Sequence, residues 1–137
     1  MPGETNLAVL LKNIEPLLNA GEYVFCTINN NSPIDNGGII GLFREKEGIT
    51  IIVEKSFAIA SGIAYNSVCS WITLSVHSSL EAVGLTAAFS KALSNKGISC
   101  NVVAGYCHDH IFVPIKDTEK AMSVLHSLSS INGEISE

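Results

Sequence analysis

Residues 71–114 constrain the fold more than any other part of the chain. They read WITLSVHSSLEAVGLTAAFSKALSNKGISCNVVAGYCHDHIFVP. Ile72, Leu74 and Val76 alternate with Trp71, Thr73 and Ser75, the period-two pattern of a strand with one buried face. That strand is predicted over residues 68–77. Residues 82–96 follow, with Leu85, Ala88, Phe89, Ala92 and Leu93 on one helical face. Ser78 and Glu81 have the spacing of a capping box, and Gly97 stands where a helix stop belongs. Residues 99–106 and 110–115 read as two strands joined by a tight turn through Cys107, His108 and Asp109, with Asp109 bonding its own backbone. Asp117 is placed to cap a last helix that buries Ala121, Val124, Leu125 and Leu128. The first four of these elements, β-α-β-β, are three-quarters of a ferredoxin-like unit.

The upstream residues repeat this order in reduced form. Residues 22–28 (EYVFCTI) are β-branched and aromatic and predict a strand. Residues 29–38 (NNNSPIDNGG) are a loop rich in turn formers. Residues 39–44 and 49–54 pair as a hairpin, and residues 55–62 form a short helix ended by glycine. Two copies of one unit account for this, a loop replacing the first helix in copy one. Residues 1–64 are a degenerate first half and residues 65–137 a second half. A leading helix is predicted over residues 6–19, with Leu7, Leu10, Leu11, Ile14, Leu17 and Leu18 on its stripe and Pro16 interrupting its last turn. Each copy lacks a fourth strand of its own, which leaves an open sheet edge. The halves are therefore expected to complete one another's sheet and to fold as one unit.

Composition narrows the partners. Charged residues make up 15% of the chain, against about 25% in ordinary soluble domains. So little polar surface predicts an apolar patch covered by a second copy, giving a homodimer. Lys and Arg together number eight, and the net charge is -5. No basic stripe is available to neutralise phosphates, so neither nucleic acid nor an anionic membrane is expected as a partner. No apolar run reaches the roughly 18 residues of a membrane span. The start, MPGETNLAVLLKNIEPLL, carries Glu4 and lacks the basic region of a signal peptide. The expected location is cytoplasmic, with Cys26, Cys69, Cys100 and Cys107 reduced and acting as small core residues.

Few residue groups offer chemistry. The cluster Cys107-His108-Asp109-His110 has the right types for a nucleophile and base. Adjacent strand residues face opposite ways, however, so a hairpin corner is the plainer reading. His108 and His110 could share a face and take His77 as a third imidazole for zinc. No CxxC pair or HExxH supports that, and no cofactor is expected. The glycines do not form a phosphate-binding loop. The turn from His77 to Gly84 is the remaining candidate. Free amide groups and the positive end of a helix dipole favour a carboxylate there. Ser78 and Ser79 add hydroxyls, and Gly84 permits close approach. The competing reading leaves these residues to cap and pack the helix.

The segment EAVGLTAAFSKALSNKGISC resembles the signature of ACT domains, βαββαβ regulatory modules of amino-acid metabolism. In that pattern a Gly-Leu pair follows the first strand and a Gly-Ile pair leads into the second; Gly84-Leu85 and Gly97-Ile98 stand at those positions. Glu81-Ala82-Val83-Gly84 departs from the usual Asp-x-Pro-Gly turn. EYVFCTI and GLFREKEGITIIVEK extend the likeness, over residues 7–128, to short free-standing bacterial proteins with two ACT-like halves. The resemblance implies an α+β fold of tandem ferredoxin-like βαββαβ units, an antiparallel sheet with helices on one face. It also implies a non-catalytic protein that binds a small-molecule effector, an amino acid or a similar metabolite. By position, the ligand-binding residues are His77, Ser78, Ser79, Val83 and Gly84. Two other readings stand beside it: an interaction module with no ligand site, and a small metal-dependent enzyme built on His108 and His110.

Overall fold

Proline decides the fate of the first apolar segment. The computed structural model describes residues 7–33, 37–75 and 84–135. Helix α1 is Leu7–Lys12 and stops well short of the expected end. Pro16 has no N–H to donate and disfavours helical geometry at Glu15, so the chain extends there instead. Strand β1, Pro16–Leu18, results. It pairs antiparallel with β5, Val68–Leu74, in the register Pro16↔Leu74, Leu17↔Thr73 and Leu18↔Ile72. Proline as the first residue of a strand costs no ladder bond. Leu11 and Ile14 enter the core, whereas Leu17 and Leu18 remain 57% and 43% exposed. The leucine stripe thus belongs to two elements.

The chain divides into two compact units, one made of Ala20–Ser70 and the other of the residues up to Asn19 together with those from Trp71 onward. In the latter, β5 has both β1 and β7 (Asp109–Pro114) as neighbours, and β6 (Asn101–Ala104) pairs antiparallel with β7. Helix α3, Leu85–Asn95, connects β5 to β6. A 3-10 turn, Ile115–Asp117, leads into α4, Thr118–Ile135. Alternation sets the buried face. Ile72 and Leu74 of β5 and Ile111 and Val113 of β7 join Leu85, Phe89 and Leu93 of α3 and Ala121, Val124 and Leu125 of α4. Helix α3 ends as its glycine predicts. Gly97 has φ +74, its N–H donates to Ser94, and the Ile98 N–H donates to Leu93. This closure satisfies two terminal carbonyls and brings the apolar pair Leu93 and Ile98 into the core.

The other unit holds β2 (Tyr23–Ile28), β3 (Ile39–Arg44), β4 (Ile49–Glu54), the first residues of β5, and α2 (Lys55–Ser61). β4 lies between β3 and β2, and β2 pairs with β5 through Tyr23↔Cys69 and Val24↔Val68. Val24, Cys26, Ile49, Ile51 and Val53 form the buried face, with Ala58 of α2 packed on it. Helix α2 ends like α3: Gly62 has φ +67, and the Ile63 N–H donates to Ala58. None of the described residues between β2 and β3 is helical. The architecture is α+β and ferredoxin-like, and the strand pairings given by register are antiparallel.

Candidate functional site

Of the five residues assigned to a ligand, only Gly84 falls within the described part of the chain; His77, Ser78, Ser79 and Val83 lie outside it, as does the Ser78–Glu81 capping box. Gly84 is the N-cap of α3, in left-handed geometry with φ 91 and ψ -9. The helix therefore begins at Leu85, three residues later than its apolar pattern suggests. The Ala88 N–H donates to the Gly84 carbonyl at 2.8 Å. The amides of Leu85, Thr86 and Ala87 precede that first helical bond and lie at the positive end of the dipole. Leu85 is buried, and Thr86 and Ala87 are exposed. Only glycine adopts the Gly84 geometry freely, so this residue sets where the helix starts.

A second arrangement lies on the sheet face opposite the α3 core. Trp71 and Thr73 alternate with the core residues Ile72 and Leu74, and His110 and Phe112 alternate with Ile111 and Val113. The Trp71 indole N–H donates to His110 Nδ1 at 3.0 Å. An indole can only donate, so Nδ1 accepts and the neutral ring carries its proton on Nε2. The Thr73 hydroxyl stands 3.2 Å from the same nitrogen. Asn19 Nδ2 donates to Thr73 Oγ1 at 2.9 Å and to the Trp71 carbonyl at 3.2 Å. The Trp71 ring also stacks on Phe112, with centroids 6.2 Å apart. Burial holds the His110 pKa below the usual imidazole range; neighbouring His108 lowers it further and Asp109 opposes. Burial likewise raises the Asp109 carboxyl above its usual range, against the pull of His110 and His108.

This network limits what the histidines can do. The lone pair of His110 is committed to Trp71, so that nitrogen is neither a free base nor a free metal ligand. His108 is exposed, and the hairpin closes through the Gly105 N–H donating to the His108 carbonyl at 2.9 Å. The turn therefore sits earlier than expected and closes through main-chain groups. Among the described residues, no group of three His, Cys, Asp or Glu could hold a metal ion. All four cysteines are free. Cys26 and Cys69 are buried, and burial raises both thiols, as suits core residues. Cys107 is exposed near the hairpin turn, contrary to the core role expected of it. Sequence reasoning missed the Trp71–His110 pair. Strand phase already placed both residues on the face away from the core, but their adjacency needed the β5–β7 neighbourhood.

The comparisons agree with this architecture. A protein of unknown function from Vibrio cholerae is 44% identical, covering 90% of this chain and 95% of its own, with a TM-score of 0.80. A protein from Agrobacterium tumefaciens is 21% identical, covering 85% of this chain and 89% of its own, with a TM-score of 0.71. The regulatory subunit of aspartate kinase from Thermus thermophilus shares the fold at 12% identity and a TM-score of 0.58, covering 82% of this chain and 95% of its own. No curated protein matches the chain. One ACT domain model matches residues 2–70 and another matches residues 66–127. With two such domains in tandem, the chain belongs to the ACT domain family.

Proposed function

We propose that this chain is a non-catalytic regulatory protein that binds a small-molecule effector, an amino acid or similar metabolite, at the turn formed by His77, Ser78, Ser79, Val83 and Gly84. The observation that carries this reading is the start of α3. Left-handed Gly84 ends the turn and sets three amides at the positive end of an 11-residue helix. That environment favours a carboxylate. The tandem ACT domains, and the regulatory subunit among the fold neighbours, support a regulatory role. Effector binding then acts by differential affinity for two arrangements of the protein.

Thermal unfolding with each of the twenty amino acids tests the reading. A ligand at a hundred times its Kd adds about 2.7 kcal/mol. For a chain of this size that raises Tm on the order of 10 °C. Ser79→Trp should abolish the rise while leaving the unliganded Tm close to the original. It is a cleaner probe than Gly84→Val, which would also strain a residue at φ 91. A rise that survives Ser79→Trp places the ligand elsewhere, and no rise with any amino acid favours the interaction-module reading.

The working state we propose is a cytoplasmic homodimer. Its support is β3, which pairs only with β4 among the described residues and leaves Ile40, Leu42 and Phe43 exposed. Such an edge has no charge before Arg44 to deter a second strand. Phe43→Lys should shift the mass measured by light scattering from dimer to monomer. Among the described residues, no helix is long and apolar enough to cross a membrane.

A further inference from the structure

The Ala20–Ser70 unit offers a second kind of site. In the unit containing α3, that helix covers the sheet with Leu85, Phe89 and Leu93, all buried. In the Ala20–Ser70 unit, no described residue between β2 and β3 is helical. The buried face there has α2 packed on it, and beside α2 lies a cleft of about 260 Å³. Its walls are Ile28, Ile39, Ile51, Phe57 and Ile63, with the floor residue Ile51 only 1% exposed. Ser32 and Ser61 add two hydroxyls, and no charged side chain is among the described lining residues. The Phe57 wall also meets the Gly38 main chain. A Cβ on Gly38 would lie 2.0 Å from a ring carbon, so the main chain itself rests against the ring.

We propose that this cleft binds a small, neutral, largely apolar ring compound of about the size of indole. Volume sets the size: a cavity of about 150 Å³ with similar walls takes benzene, and this one is larger. Lining sets the chemistry. No described lining side chain supplies a counter-charge to an ionised group, which favours a neutral compound over a zwitterionic amino acid. One or two hydrogen bonds to Ser32 and Ser61 would orient a ring N–H or hydroxyl. The proposal does not rest on the α3 turn, because the two places select opposite ligand chemistries.

Indole titrated into the whole protein, with ¹³C-labelled isoleucine methyl groups, tests it. Saturable shifts are expected at Ile28, Ile39, Ile51 and Ile63, with Ile72, Ile98 and Ile111 unmoved. Ser61→Leu should weaken binding at least about tenfold by filling the cleft, whereas Ser61→Ala should retain it to within a fewfold. A native Ile49 signal, from a fully buried core residue of the same unit that does not line the cleft, verifies in each variant that the fold is kept. Ser79→Trp should leave indole binding unchanged, which separates this site from the turn. The proposal is overturned if no isoleucine saturates, if Ile72 and Ile111 respond equally, or if Ser61→Leu binds indole as tightly as the original chain.

Discussion

Replacing Gly97 or Gly62 by alanine tests whether the two ACT domains share one constraint at a helix end. Both glycines are left-handed, at φ +74 and φ +67, and a Cβ built on either meets nothing within 4 Å. Crowding therefore contributes nothing, and the cost is conformational. A left-handed L-residue costs roughly 1–2 kcal/mol. Alanine returns about 0.4–1 kcal/mol of that by narrowing the unfolded ensemble. The net loss is about 1 kcal/mol at each site, a fall in Tm of roughly 3–4 °C. The two sites lie in different units and share no hydrogen-bond partner, so the double variant should lose about 2 kcal/mol. Asparagine tolerates the left-handed region better and should cost less than alanine at both sites. Urea unfolding at constant m-value measures these differences. A loss above about 3 kcal/mol at either site would mean that the closure itself had broken, beyond a backbone cost. Equal losses for alanine and asparagine would refute the conformational account.

Two further outcomes follow from the core and from the Trp71 network. Phe89 is fully buried among Leu85, Leu93 and the sheet face, so Phe89→Ala should cost about 3–5 kcal/mol, read by urea unfolding. The His110 pKa is lowered on folding, so the unfolded chain binds more protons just below the ordinary imidazole value of 6.5. Stability should then fall as pH drops through that value and level off below the folded pKa. Asp109 acts in the opposite sense at more acid pH: its raised pKa gives stability that is present below 3.8 and lost as pH rises through the folded value. Chemical unfolding between pH 8 and 6 reads this slope, and His110→Gln should flatten it. An unchanged slope in that variant would remove His110 as its source.

Local rules carried most of the fold because most of its determinants are local. The phase of Ile72 and Leu74, the stripe of Leu85, Phe89 and Leu93, and the stops at Gly62 and Gly97 are all readable within a few residues. The N-terminal segment defeated the same rule. Leu7 to Leu18 satisfies helical spacing, but β1 exists because β5 offers it a partner more than fifty residues away. Pro16 was the legible warning, and its effect reaches beyond a kink to end the helix before it. The helix start at Gly84 was legible as a glycine and not as a cap. The Trp71–His110 bond spans 39 positions in sequence and no local pattern encodes it.

The two ACT domains differ in what joins their first and second strands. Where the second copy keeps its first helix, it gains a positive helix end that suits a carboxylate, and it loses free apolar surface, because Leu85, Phe89 and Leu93 fill the sheet face. In the first copy none of the described residues between β2 and β3 is helical, and Ile28, Ile39, Ile51, Ile63 and Phe57 of α2 line a cleft. Each copy closes one helix with a glycine at its end and an apolar residue just beyond it, Gly62 and Ile63 after α2, Gly97 and Ile98 after α3. Each domain thus has an antiparallel hairpin and a glycine-closed helix, and the two differ in the element that leads from the first strand to the second.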